Sequence, residues 1–585
     1  MGRALHGAEP AFVIAAEMRV CMEFVMFAGI LVLLFLFMIW QELWQIRKQE
    51  KQFVRSLREN YGKEKPKEYS LERFARLNSY LERHKEEKAL DDITWNDLGM
   101  DEVFCRIDRT FSAAGEEYLY YTLRNISCGR ERLEHLEEVV TWLDGNEESR
   151  VRIQLLMNRL GHLGKYSLYD YLDNLDYLGE RSNRKILLGN LLYFPFAALL
   201  FVQPAVGTIG IVVCMLWHIL TYFREKKVIE PYIVSFAYVL RLVSVCDELA
   251  KQKIPVYGRE LGELNEALKS LRELRRGSYW VMAGNQGKIG GNPLDVLADY
   301  LRMILHLDIL QFNRMLAKLR KKTGQVDRLL EIVGYLDMAV SVGGFRRSLE
   351  GYCIPELEEN AEKTFLHLEN GWHPMLTHPV KNSIRADRGI LLTGSNASGK
   401  STFLKMVAVN AVLAQTIHTC TAEKYQAPVF RIFSSMALRD SIENGESYYI
   451  VEIRSLKRIL DAAEAHNTPV LCFVDEVLRG TNTVERIAAA TQILIRLSES
   501  GALGFAATHD IEMTELLRKY YDNYHFEEVI RDGDILFPYQ LLSGKASTRN
   551  AIRLLQLLGY DQEITEKASA QAERFLKTGK WTEPA

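Results

Sequence analysis

Gly389-Ile-Leu-Leu-Thr393 leads without a break into Gly394-Ser-Asn-Ala-Ser-Gly399-Lys400-Ser401, and Thr402–Leu413 continues with helical periodicity. The first five residues read as a buried strand. The next eight spell G-x-x-x-x-G-K-S, a pattern that carries meaning only between a strand and a helix. Its glycines let backbone N–H groups wrap a phosphate, and the helix N-terminus adds partial positive charge. Lys400 then reaches the β- and γ-phosphates, and the Ser401 hydroxyl serves Mg2+. ATP and Mg2+ are the implied cofactors. The phosphate-side residues are Gly394, Asn396, Gly399, Lys400, Ser401 and Thr402.

Val470-Leu-Cys-Phe-Val474 is a second apolar strand, ending in Asp475-Glu476. Asp475 fits a carboxylate that holds Mg2+. Glu476, one residue on, fits the general base that polarises an attacking water. A third strand, Gly504–Ala507, ends in Thr508-His509, where His509 fits a γ-phosphate sensor. P-loop, acidic strand end with adjacent Glu, then His is the order of ATP-binding-cassette-type ATPases. Such sites are completed by a signature segment from a second subunit, which predicts a homodimer. Leu542-Ser-Gly544-Lys545-Ala546 looks like a transporter signature but follows His509. The interval between P-loop and Asp475 holds Asp440-Ser-Ile-Glu-Asn-Gly445-Glu-Ser447-Tyr-Tyr-Ile-Val-Glu452 instead.

That segment resembles the signature of the MutS family of DNA mismatch-repair ATPases, roughly G-x-S-T-F-x-x-E-M. Asn370-Gly-Trp-His373-Pro374 resembles the family's N-G-R-H-P, and Asp475-Glu476-Val-Leu-Arg479-Gly480-Thr481 resembles D-E-x-G-R-G-T. Ala507-Thr-His509 resembles A-T-H, and Ile107 to Gly115 lies near the core-domain T-x-x-G segment. The resemblance implies that Ser447, with Gly445, contacts the γ-phosphate bound by the other chain, and that Asn396 senses closure. The aromatic residue that the family stacks on adenine ahead of the P-loop is replaced near Pro379-Val380; Tyr539 sits where the family has a second ring-bearing residue and is the candidate to stack instead. Three further departures stand out. The mismatch-reading N-terminal domain has no counterpart, a hydrophobic stretch occupies the place of the DNA-gripping clamp, and Leu478 replaces a glycine after the acidic strand end.

That hydrophobic stretch is Ile186 to Phe223, which contains no Asp, Glu, Lys or Arg. It is long enough for two crossings of a bilayer core of ~30 Å, with Gln203-Pro204 at the turn. Phe24 to Trp40 carries no polar side chain and reads as an earlier span; no small-x-small cleavage site follows it, against a signal peptide. Basic residues follow the first span (Arg47, Lys48, Lys51, Arg55, Arg58) and bracket the hairpin (Arg181, Arg184, Lys185; Arg224, Lys226, Lys227). The positive-inside rule puts these flanks in the cytoplasm and the 203–204 turn outside. The expectation is a multi-pass cell-membrane protein with a cytoplasmic ATPase domain and the lipid bilayer as a partner.

Basic and acidic residues nearly cancel, 73 against 76, which argues against nucleic-acid binding through bulk positive charge. The eight cysteines show no CxxC spacing, so zinc and disulfide scaffolds are not indicated. The fold class expected is an α/β P-loop (ABC-type) ATPase domain preceded by an all-α core and lever region, with about three transmembrane helices. The divisions are a tail 1–21, a span 22–41, a helical core-like region 42–185, the hairpin 186–223, a lever-like region 224–354, the ATPase domain 355–560 and a helical tail 561–585. Within 225–350, Tyr232–Leu249 and Asp295–Lys321 read as separate helices, and the glycine-rich 284–291 reads as a loop. The function implied is a membrane-anchored, MutS-like, dimeric ATPase with double-stranded DNA as a candidate ligand. The alternative is an ATP-driven membrane signalling, scaffold or transport-related protein with no DNA ligand.

Overall fold

The computed structural model describes residues 26, 37–38, 40–41, 44–63, 66–86, 89–126, 129–163, 167–275, 300–359, 363–395, 398–436, 448–465, 468–478, 481–531, 534–546, 552, 555–556, 559–579 and 581. Most of the expected first span, 22–41, therefore lies outside the described residues, as does the 284–291 loop. The chain divides into two units, Met1–Tyr61 and Gly62–Ala585. In the first, residues 44–59 form a helix.

The second unit begins with helices. Those that matter for the site are α1 (Leu71–His84), α2 (Asp92–Asp97), α3 (Ala113–Arg124) and α4 (Arg130–Gly145). They continue with α5 (Pro204–Leu249), α6 (Gly258–Leu271) and α7 (Thr323–Arg347). α3 and α7 form the centre of the helical region. They approach so closely that a Cβ on Gly115 would meet Asp337 Oδ2 at 2.3 Å. The approach is chemical as well as steric. Asp337, fully buried, accepts from the backbone N–H groups of Phe111 (3.1 Å) and Ser112 (2.8 Å) and from Ser112 Oγ (2.6 Å). Ser112 is the N-cap of α3, so a carboxylate from α7 sits where the helix dipole favours negative charge.

α5 departs from expectation. The second hairpin arm does not stop near 223, and Tyr232–Leu249 is not a separate helix; Pro204 to Leu249 is one helix of 46 residues. The charges at 224–227 are good helix formers and mark no boundary. Beyond them Ile229, Phe236, Val243 and Leu249 are buried, and this packing keeps the helix intact through position 231 despite its proline. The other arm is Arg184–Leu191 and Tyr193–Val202. Among the described residues, Arg184–Val202 and Pro204–Glu230 are the two stretches long and apolar enough to cross a membrane. Their apolar side chains face outward: Phe194, Phe201, Ile209, Val213 and Leu220 are exposed, Phe201 to 92%. Asn190 donates to the Leu305 carbonyl (3.0 Å), and buried His218 packs beside His306. The expected helix Asp295–Lys321 is broken there: 300–305 is helical, His306 takes φ +52°, and a new helix covers Leu307–Leu319.

From 356 onward strands enter. β1 (Glu356–Glu358), β2 (Leu366–Gly371), β3 (Asn382–Ala386) and β5 (Lys424–Pro428) form a small mixed sheet in the order β1-β5-β2-β3. Among the described residues a second sheet runs β12-β9-β4-β8-β7-β6. Its strands are β4 (Gly389–Thr393), β6 (Arg431–Ser435), β7 (Val470–Asp475), β8 (Leu503–Ala507), β9 (Tyr521–His525) and β12 (Leu542–Ser543), while β10 (Val529–Arg531) and β11 (Asp534–Leu536) pair with each other as a separate hairpin. The five long strands pair in parallel, and β12 adds antiparallel to β9. Every residue of β4 is buried, as expected when helices cover both faces of a parallel sheet. α8 (Lys400–Ile417), α9 (Tyr448–Glu464) and α10 (Thr483–Glu499) follow β4, β6 and β7.

Arg346, near the C-terminus of α7, ties the two regions together. Its guanidinium donates to both oxygens of Glu137 on α4 (2.9 and 2.7 Å), to Thr419 Oγ1 (2.8 Å) and to the His418 carbonyl (2.9 Å). The last two lie just past the end of α8. Arginine's planar fork suits this role, since one group satisfies several buried acceptors at once.

Candidate functional site

The loop after β4 turns on two glycines. Gly394 has φ +146° and Gly399 +109°, a region closed to ordinary side chains. A Cβ on Gly394 would lie 2.5 Å from the Phe526 carbonyl oxygen, and one on Gly399 would lie 3.1 Å from Tyr539 Cδ1. Between them Asn396 lies outside the described residues. Lys400 opens α8 and is nearly buried; its Nζ donates to the carbonyls of Gly394 and Ser395, both at 2.8 Å. Thr402 is exposed beside it.

β7 and β8 end in register, Asp475 opposite Ala507. That shared ending brings four side chains into two pairs. Ser401 Oγ donates to Asp475 Oδ2, while Asp475 Oδ1 is buried with no hydrogen-bond partner among the described residues. His509 Nε2 lies 2.7 Å from Glu476 Oε1. Glu476 holds φ +56°, a conformation that costs a non-glycine residue ~1–3 kcal/mol and that surrounding structure must enforce. Part of the enforcement is the Glu476 N–H, which donates to the Ala507 carbonyl (2.9 Å).

Leu478 also sits in the left-handed region, φ +59°, and is buried. The backbone keeps a glycine-like conformation at the position where the resemblance expects glycine. Its N–H donates to the buried carboxylate of Glu452 on α9. This link joins the helix after the signature segment to the loop that carries Glu476. Ser447 and Gly445 lie outside the described residues, but the strand leading to them is firmly held. Asp97 Oδ2 on α2 accepts from Ser434 Oγ (2.7 Å) and the Met436 N–H (2.8 Å), and Arg458 donates to the Ser434 carbonyl (2.7 Å).

Lys400, Ser401, Thr402, Glu476 and Tyr539 all line one cavity of about 510 Å3, together with Trp372 and His373. Burial, with Lys405 adding repulsion, pushes His373 down to about 4, so its imidazole is neutral at physiological pH. Tyr539 has φ +54° and closes one side of the cavity. Asn382 fixes it from β3: Asn382 Nδ2 donates to the Tyr539 carbonyl (2.9 Å) and Oδ1 accepts from the Leu541 N–H (2.8 Å). Neither Asn382 nor Glu452 was foreseen as a positioning residue. Glu452 alone left a signal, as the Glu of the signature string.

The residues fit Mg2+ and ATP on the chain's own geometry. A hydroxyl and a carboxylate meet at the loop, and the second carboxylate oxygen is an orphaned buried acceptor of the kind a hard cation takes. The two glycines leave backbone space that a Cβ would fill.

Residues 390–576 match the family model described as MutS domain V. The DNA mismatch repair protein MutS of Thermus thermophilus is 32% identical over 225 residues, covering 38% of this chain and 27% of that protein. The protein of that name from Pseudothermotoga lettingae is 30% identical over 268 residues, covering 44% and 32%. That from Natronomonas pharaonis is 28% identical over 274 residues, covering 45% and 31%. The chain thus spans about a third or less of the length of these curated relatives. The strand, the glycine loop and the paired carboxylates all fall inside the matched region or at its edge, so it is this part of the chain that is similar to MutS proteins.

Proposed function

We propose that this protein is a membrane-anchored, MutS-like ATPase that binds and hydrolyses ATP at a dimer interface. The observation that carries the reading is the pairing of Ser401 with Asp475 and of Glu476 with His509 around one cavity that also holds Lys400. Ser401 and Asp475 would hold Mg2+, which when bound neutralises charge on the phosphate oxygens. Lys400 and the backbone N–H groups between Gly394 and Gly399 bind the β- and γ-phosphates. Glu476 takes the proton of a water aligned with the γ-phosphate, and His509 orients that carboxylate. Trp372, His373 and Tyr539 line the same cavity, where Tyr539 offers a ring to the adenine. Phosphate release from ATP tests this part: turnover is expected with Mg2+ and not after EDTA. Equal turnover without the metal, or none with it, rejects the reading.

The anchoring part is supported by the outward apolar side chains of the hairpin and by the basic residues at its base. With the earlier span 22–41, it makes a multi-pass cell-membrane protein with a cytoplasmic ATPase domain. A cysteine at Gln203, in a background lacking Cys21 and Cys214, should react with an impermeant thiol reagent added to intact cells. Protection there, with labelling of a probe near Lys226, would invert the topology. The relatives' names carry DNA mismatch repair, and double-stranded DNA is the candidate ligand proposed from it; an ATP-driven signalling, scaffold or transport role without DNA is the alternative.

A further inference from the structure

Two cysteines far apart in sequence stand directly opposite each other. Cys353 lies in the segment that joins α7 to β1, and Cys420 lies just past α8. They form an antiparallel bridge. The Cys353 N–H donates to the Cys420 carbonyl (2.9 Å), and the Cys420 N–H donates to the Cys353 carbonyl (3.0 Å). A pair that exchanges both bonds has its Cα atoms ~5.5 Å apart. Disulfides span Cα separations of ~4.4–6.8 Å, so the backbone already holds the two within bridging distance. Opposed Cβ atoms lie ~4.5–5.5 Å apart and a disulfide needs ~3.5–4.5 Å, so closure asks for a shift of about 1 Å. The side chains meet as well, through a hydrogen bond between the two sulfurs. Both are free thiols.

The two thiols differ as a peroxide-reactive pair requires. Cys353 is half-buried and Cys420 fully buried. The hydrogen bond with Cys420 draws the Cys353 thiol below its ordinary range, whereas burial pushes Cys420 well up. An accessible sulfur with thiolate character, beside a second thiol that resolves it, is the arrangement in which oxidation stops at a disulfide. We propose that Cys353 and Cys420 form a reversible disulfide when the protein meets a hydroperoxide. The Cys353 thiolate attacks one peroxide oxygen, and the O–O bond breaks to give a sulfenic acid at Cys353 and hydroxide or alkoxide. The Cys420 sulfur then attacks Cys353 Sγ. The S–S bond forms, the S–O bond breaks, and the departing hydroxide leaves as water with the Cys420 proton. Two electrons pass from the pair to the peroxide, and a small dithiol returns them by thiol–disulfide exchange.

The position of the bond gives it a consequence. His418 and Thr419 are held by Arg346, and the Thr421 carbonyl accepts from the N–H of Trp372 (2.9 Å), which lines the cavity that Lys400 and Glu476 share. The disulfide would tie this strap covalently to the chain leaving the helical region.

The test treats the folded full-length protein with hydrogen peroxide, unfolds it with an alkylating reagent present and maps its peptides by mass spectrometry without reductant. The peptide carrying Cys353 should appear joined to the one carrying Cys420, with both thiols lost together, and dithiothreitol should restore both. Cys420→Ser should leave Cys353 as a sulfenic acid that dimedone captures. Cys353→Ser, at a half-buried position, should leave Cys420 unoxidised. The wild-type map stands even where a variant does not fold, a case that melting curves identify. Both thiols still open to alkylation after peroxide treatment overturn the proposal. So does Cys353 joined to any other cysteine, or a link to Cys420 that forms only in urea-unfolded protein.

Discussion

Glu476→Gln should keep ATP bound and lower turnover by ~10²-fold or more, the usual size of a lost general base. The substitution is clean because the amide has the shape of the carboxylate. The strained φ of Glu476 is held by its backbone N–H to Ala507 and by the neighbouring grip of Glu452 on Leu478, neither of which the side-chain change touches. Binding rests on other groups, chiefly Lys400 and Ser401. The measurement is a single-turnover rate beside an ATP-binding isotherm on the same preparation. Wild-type hydrolysis by the variant would remove Glu476 from the role of base and direct attention to His509, 2.7 Å away.

The second large effect needs two chains. Lys400→Ala and Ser447→Arg should each be inactive alone, yet mixing them should restore part of the activity. The reason is charge. A bound triphosphate presents several negative charges, and a loop that wraps one side leaves the γ-phosphate open on the other. In the proposed dimer, a hydroxyl and N–H groups from a facing subunit would close that side and exclude water. In a mixed dimer, one composite site keeps an intact Lys400 from one chain and an intact Ser447 from the other. The expected activity is a fraction of wild type that scales with the share of mixed dimers, measured by co-purification with two affinity tags. Full activity of Ser447→Arg alone would reject the shared site.

The nucleotide-side strands were legible in the sequence because each is a short apolar run bounded by a chemical signal. Gly389–Thr393, Val470–Val474 and Gly504–Ala507 correspond to β4, β7 and β8 within a residue at either end. Burial on both faces writes such strands as continuous apolar text. The small sheet was not legible. β1 has three residues, too few to show alternation, and β2 carries a register shift between Leu368 and Gly371. The pairing of His509 with Glu476 follows from the register of β7 and β8, which no local pattern states. Asn382 and Asp337 act over more than a hundred residues of separation, so their roles are written only in the fold. The continuity of α5 was missed because a cluster of charges reads like a membrane boundary, whereas the backbone has no reason to stop there.

That continuity has a geometric consequence. A helix of 46 residues is roughly 70 Å long, and it turns by about 100° with each residue. One end presents the outward apolar arm; the other is packed among the helices that hold Asp337 and Arg346. The azimuth of the arm is therefore locked to the core as a key's blade is to its bow. Adding two residues between them would swing the apolar stripe by about 200°, whereas seven would restore it to within about 20°. The length of the segment between 224 and 230 is thus a phase setting, and its tolerance to insertions is periodic, with no smooth dependence on how many residues are added.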